Sequence, residues 1–338
     1  MSTPITREYL ESQSDRIERV LASYHVPVRV QGGSVTPRAI RFHVAPALGA
    51  RLTTIRNLSE ELALALNTPD VRIAREGDKL ALEMPRPDAE PVYLLGLMRS
   101  LQTIPPFTAC LGLAEDGRPL LARLPSPDVA HILVAGTTGS GKTELMRSIV
   151  LSLALTHRQS QLQIALIDPK SRGLAPLAGL RHLLAPVAVD SGEALALLQR
   201  LVAEMERRDR ESVSVPRILI VVDEMLDLLT IGGKPIEAAL TRLAQRGREA
   251  GLHLVAGAQK PSTALLGPLL KANFPVRLVG RVTSVEDARV ASGVAGSGAE
   301  KLAGRGDFVA VASGQITHFQ AAWIPQRDWA EVQRLITA

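Results

Sequence analysis

Gly136, Thr137, Thr138, Gly139, Ser140, Gly141, Lys142 and Thr143 form the string G-x-x-x-x-G-K-[ST]. Glycines let backbone N–H groups approach an anion closely, and a helix starting at the end of the string would turn its positive end to the same point. The chemistry implied is nucleotide phosphate binding. Lys142 is expected to reach the β- and γ-oxygens of ATP, and the Thr143 hydroxyl to coordinate Mg²⁺. A Gly-rich turn with no ligand is the plainer alternative. The flanks argue against it, since an apolar run, Ile132 to Ala135, precedes the string and an apolar-periodic stretch, Leu145 to Leu155, follows it.

Such a site also needs a carboxylate at the end of a neighbouring strand. The run Arg217-Ile-Leu-Ile-Val-Val-Asp223-Glu224 supplies two. Asp223 is assigned to Mg²⁺ and Glu224 to polarising the attacking water, the division of labour expected for NTP hydrolysis. Gln259 closes the next apolar run and is placed beside the γ-phosphate. Asp168, in Ile167-Asp168-Pro169-Lys170, reads equally well as part of a turn or as a site residue. The seven histidines show no metal-binding spacing, and the single cysteine, Cys110, can close no internal disulfide.

Five short apolar runs, Ile132 to Ala135, Ile164 to Ile167, Ile218 to Val222, Leu252 to Ala256 and Val276 to Val279, are separated mostly by helical patterns. Runs apolar on both faces that alternate with helices predict an α/β fold with a covered, mainly parallel sheet. The first ninety residues read differently. An amphipathic pattern from Tyr9 to Leu21 predicts a helix, Val26 to Val30 and Ile40 to Val44 alternate as strands, and Asn57 with Glu60 suggests a capping box for a helix through Leu66. Two more strands and a Pro-rich exit near Pro91 complete a small α+β unit.

Composition narrows the classes further. With 338 residues, 46% of them hydrophobic and 22% charged, the chain is too long for a disulfide mini-scaffold and too apolar for wholesale disorder. No uncharged apolar run approaches the ~20 residues that cross a bilayer, and the sequence reads as cytoplasmic. Net charge is 39 − 34 = +5, and all the excess lies after Ala130, where 24 basic residues face 19 acidic ones. That balance suits a polyanionic partner. Only 3% of residues are aromatic, too few for a base-stacking single-strand platform, so duplex backbone contact is the expected mode.

The order and spacing of several stretches resemble the FtsK/SpoIIIE family of DNA translocases. They include His131 to Thr143, Ile167-Asp-Pro-Lys170, Glu204-Met-Glu-Arg-Arg208, Val222-Asp-Glu224, Ala244 to His253, Ala258-Gln-Lys-Pro-Ser262, Leu270-Lys-Ala-Asn273 and Gly304-Arg-Gly-Asp307. Upstream, Leu52 to Glu61 resembles the small domain that precedes the motor in that family. The resemblance implies a RecA-like P-loop ATPase that forms a homo-oligomeric ring, a hexamer, around double-stranded DNA. It places Arg248 at the arginine finger that reaches a neighbouring subunit's ATP, and Lys260, Lys271 and Arg289 along the DNA path.

On this reading, residues 1–24 are an N-terminal helix, 25–105 the small domain, 106–326 the motor and 327–338 a helical tail. Departures from the family pattern are also visible. The long hydrophobic N-terminal region and the C-terminal winged-helix domain are missing, so a membrane or DNA-loading partner is expected to supply what they do. Val285 stands where a basic residue is usual. Two alternatives stay open: a motor of the same superfamily that moves single-stranded DNA or protein, and a nucleotide-gated scaffold that moves nothing.

Overall fold

The computed structural model describes residues 5–36, 39–47, 50–76, 79–87, 91–259 and 273–337. The chain separates into two compact units, residues 1–91 with 115–117, and residues 92–114 with 118–338.

The smaller unit begins with α1 (Arg7–Ser23), whose N-terminus is capped by the Thr6 hydroxyl accepting from the Tyr9 N–H at 3.2 Å. Its apolar face buries Ile17 and Leu21. Strands β1 (Val28–Val35), β2 (Ala39–Pro46), β3 (Arg72–Glu76) and β4 (Lys79–Pro85) make an antiparallel sheet in the order β1-β2-β4-β3. Between β2 and β3 lie α2 (Leu52–Asn57) and α3 (Ser59–Ala65). The capping box expected at Asn57 does not form. Residues 52–57 are already helical, Asn57 ends α2, and Leu58 is the break between the two helices. Ile40, Phe42 and Leu82 from the sheet close over Ile17, Ile55 and Leu62 from the helices.

The larger unit opens with α4 (Leu94–Ser100), β5 (Thr108–Ala114), β6 (Pro119–Arg123) and β7 (Ile132–Ala135). Then come α5 (Lys142–Ala154), β8 (Leu162–Ile167), α6 (Ser191–Glu211), β9 (Arg217–Val222), α7 (Met225–Arg246, interrupted at Gly233) and β10 (Leu252–Ala258). Strand β11 (Val276–Gly280), a helix at Val285–Ser292, β12 (Asp307–Ala312), β13 (Gln315–Ala321) and a helix at Trp329–Thr337 complete it. Among the described residues the sheet runs β6-β5-β13-β12-β11-β7-β10-β9-β8.

The fold is α/β, as the apolar runs predict, and strands β11, β7, β10, β9 and β8 are parallel. The sheet as a whole is mixed, because β12, β13, β5 and β6 extend it in antiparallel fashion. Burial on both faces explains the continuous apolar runs. In β9, Leu219 and Val221 face the core under α5, while Ile218, Ile220 and Val222 face the core under α6 and α7. Among the described residues no helix is long and apolar enough to cross a membrane.

Candidate nucleotide site

The parallel strands end together, so the residue that follows each one lands on a common edge. Gly136 follows β7, Gln259 follows β10, Asp223 follows β9 and Asp168 follows β8. In the sheet, β10 lies between β7 and β9, with Ala258 beside Ala135 and Ala256 beside Val222. This interleaving brings Gln259 between the phosphate loop and the acidic pair, although the three lie far apart in sequence.

The phosphate loop is held from outside itself. Thr137 donates its N–H and its hydroxyl to the Arg281 carbonyl, both at 2.9 Å. On the other side, the Arg305 and Gly306 N–H groups donate to the Gly139 and Ser140 carbonyls at 2.9 and 2.8 Å. Gly141 sits at φ +99°, and a Cβ there would lie 2.7 Å from the Gly306 nitrogen. Glycine is therefore required at Gly141 by conformation and by space. Helix α5 starts at Lys142, so its first N–H groups open toward the loop. The Ser140 side chain is buried in the cradle, and its hydroxyl has no hydrogen-bond partner among the described residues.

Lys142, Asp223 and Glu224 are each only 5% exposed. The Lys142 ammonium lies 2.6 Å from Asp223 Oδ1 and 2.5 Å from Glu224 Oε1. Gln259 Nε2 donates to the same Glu224 oxygen at 2.6 Å. One buried lysine thus faces two buried carboxyl groups. Glu224 adopts a left-handed backbone conformation, φ 55° and ψ 52°, at the N-terminus of α7. Such a conformation is costly for a residue with a Cβ and is found where a site needs it. Here it accompanies a carboxylate turned back toward Lys142.

The donor set fits an oxygen-bound divalent cation beside a nucleotide. A Cβ placed on Gly173 would lie 2.2 Å from Asp223 Oδ2 and 3.3 Å from the Thr143 methyl, so the two residues expected to hold Mg²⁺ both border Gly173. No cluster of three or more His, Cys, Asp or Glu suited to a metal occurs among the described residues.

Asp168, open between two roles in the sequence, is buried and builds a turn. Its Oδ2 accepts from the Gly173 and Leu174 N–H groups, both at 2.8 Å. Sequence reasoning missed Gly173, the Arg147 side chain that holds the Gly173 carbonyl, and the Lys170–Asp227 ion pair at 2.6 Å on the rim. Asp227, and behind it Glu224 and Asp223, hold the Lys170 ammonium above its ordinary pKa. The one signal available was the Asp-Pro-Lys string directly after a strand.

Arg248 is not brought to this site. It precedes β10, whereas Gln259 follows it, and seven strand residues span roughly 20 Å. Its side chain is partly exposed and lies 3.8 Å from Glu249. Arg289 is exposed on the Val285–Ser292 helix and is bound by Glu286 through contacts of 2.9 and 2.6 Å. Val285, one turn earlier, is also exposed. Lys260 and Lys271 lie outside the described residues.

Comparison with known proteins places these features in a family. Residues 102–214 and 209–263 match the FtsK/SpoIIIE family, and residues 1–86 match the FtsK alpha domain. A DNA translocase FtsK from Sporosarcina ureae is 30% identical over 355 residues, covering 95% of this chain and 45% of that protein. DNA translocase SftA from Bacillus subtilis (strain 168) is 32% identical over 358 residues, covering 97% and 37%. The chain thus spans less than half the length of these curated relatives. Among solved structures, the monomer form of the pCW3 conjugation coupling protein TcpA with ATPγS has a TM-score of 0.65 at 17% identity, covering 96% of this chain and 99% of that one.

Proposed function

The chain belongs to the FtsK/SpoIIIE family and carries its ATPase unit, and from that premise we propose that it is an ATP-driven motor moving double-stranded DNA through a homo-oligomeric ring, a hexamer. The observation that carries the ring is the placement of Arg248. Phosphoryl transfer is strongly accelerated by an arginine at the transferring group. Arg248 precedes β10 and so lies at the edge of the sheet away from Lys142, and on this reading it serves another copy's nucleotide.

In the proposed cycle, the phosphates of ATP take over Lys142 from Asp223 and Glu224. That exchange frees Asp223 to hold Mg²⁺ together with Thr143, and frees Glu224 to accept the proton of the attacking water. The ion would neutralise charge on the β- and γ-phosphate oxygens. Gln259, already bonded to Glu224, is positioned to report the loss of the γ-phosphate to the residues that follow it. Those include Lys260, which with Lys271 and Arg289 is proposed to meet the DNA backbone. Phosphate contacts carry no sequence information, as a motor passing over every sequence requires. The free, buried Cys110 agrees with a cytoplasmic site of action.

ATP turnover measured with no polymer, with linear duplex and with single-stranded DNA tests this reading. Stimulation by duplex is expected. Equal stimulation by single strands would favour a coupling-protein motor, and turnover indifferent to both would favour a scaffold or a protein pump.

A further inference from the structure

The turn that follows β8 is fastened at three points, one through the buried Asp168, one through the half-buried Arg147 and one through an exposed ion pair on the rim. Asp168, 1% exposed, accepts two N–H groups through Oδ2, while its Oδ1 is buried with no hydrogen-bond partner among the described residues. From α5, Arg147 Nε donates to the Gly173 carbonyl at 2.6 Å. Lys170 pairs with Asp227 on α7 at 2.6 Å. The turn is thereby tied both to the helix that carries Thr143 and to the helix that Glu224 begins.

What this fastening achieves is visible at Gly173. With no side chain, Gly173 leaves room for Asp223 Oδ2, which a Cβ would meet at 2.2 Å, and borders the Thr143 methyl, which a Cβ would meet at 3.3 Å. We infer that the Asp168–Gly173 turn is the wall that sets the Asp223 carboxylate and Thr143 for the metal–nucleotide complex, with Asp168 and Arg147 as positioning residues. Asp168 acts through the turn. Its neighbour across the strands, Asp223, is the group that meets the ion, since Ile167 pairs with Val222 and brings the two acids side by side. Residues that hold a ligand in place typically alter metal affinity about 10- to 100-fold when removed.

The inference rests on the Mg²⁺–ATP reading above, and one titration separates the two. Affinity for a fluorescent ATP analogue is measured with and without Mg²⁺, for the wild type, Gly173→Ala, Arg147→Gln, Asp168→Ala and Asp168→Asn, each checked for a wild-type thermal melting profile. If the wild type gains no affinity from Mg²⁺, the metal reading itself fails. If it does, Gly173→Ala should lose most of that gain while metal-free affinity stays within about twofold, and Arg147→Gln should lose part of it. Asp168→Asn keeps a carbonyl oxygen that can accept both N–H groups, so it should retain the gain that Asp168→Ala loses. A Gly173→Ala protein with the full Mg²⁺ gain would overturn the inference. So would an Asp168→Asn protein as impaired as Asp168→Ala, because the charge and not the turn would then be what matters. Should Gly173→Ala fail to fold, the Asp168 and Arg147 variants carry the same test.

Discussion

The two edges of the parallel strands both bury polar groups, in opposite ways. At the edge where the strands end, Lys142, Asp223, Glu224 and Gln259 hold one another through their side chains. At the edge where they begin, His131 Nδ1 accepts from the Leu254 N–H at 2.9 Å and His253 Nδ1 bonds the Ala130 carbonyl at 3.0 Å. Burial lowers their pKa values to about 4 and about 3, so both imidazoles are neutral. Backbone partners cannot leave without unfolding the strand, whereas side-chain partners can be exchanged for phosphate oxygens. Burial of polar groups therefore does not by itself mark a site. Exchangeable partners do, and at the other edge the side chains to consider are the partly exposed Arg248 and Arg217, which donates to His253 Nε2 at 3.1 Å.

The largest expected effect tests whether one edge serves a neighbour's other edge. Arg248→Ala and Lys142→Ala should each be nearly inactive alone, since an arginine supplied in trans is worth ~10³-fold or more. Mixed together, they should regain measurable ATP turnover, because some interfaces then pair an intact phosphate loop with an intact Arg248. No recovery across a range of mixing ratios would remove Arg248 from the reaction.

A middle-sized effect separates the two edges by pH. The histidines are neutral in the fold but protonate near pH 6.5 once unfolded, so their contribution is fully present above about pH 6.5. It is lost as pH falls toward 4, on the order of 1 kcal/mol per pH unit for each histidine. Urea denaturation at pH 7 and pH 5 should show this loss equally in the wild type and in Lys142→Ala. A loss that disappears in Lys142→Ala would mean that the nucleotide edge is the pH-sensitive one.

The smallest effect concerns Arg289. Its ion pair with Glu286 is exposed and contributes little to stability. If Arg289 meets DNA, Glu286→Gln should tighten duplex binding slightly, and Arg289→Ala should reduce the slope of log K against log [salt] by about 0.9. Unchanged slopes in both would take Arg289 off the DNA path.

Much of the nucleotide edge was legible because its logic is local. A glycine string between an apolar run and an amphipathic stretch, and acids directly after another apolar run, place Lys142, Thr143, Asp223 and Glu224 without knowledge of strand order. Gln259 was legible as a strand-end residue, though only the insertion of β10 between β7 and β9 explains its contact with Glu224. The supports were not legible. Arg281 and Gly173 act through backbone groups brought near by tertiary folding, which leaves no spacing to read, and Gly306 was visible only within the Gly304-Arg-Gly-Asp307 stretch of the family resemblance. The antiparallel extension β12–β13 and β5–β6 was missed as well, although Asp116-Gly117 and Ser313-Gly314 are turn signals between short strands. The break at Leu58 shows the reverse failure, where a valid local signal at Asn57 lost to a helix already under way.

In the proposed cycle Glu224 is held by Lys142 and Gln259 only until ATP takes Lys142, and then activates water. The most direct measurement is a Glu224→Gln protein incubated with ATP and Mg²⁺, with bound nucleotide extracted and identified over time. ATP should bind with near wild-type affinity and remain unhydrolysed, since metal binding through Asp223 and Thr143 is kept while the base is lost. Conversion to ADP at the wild-type rate would contradict it and place the base elsewhere.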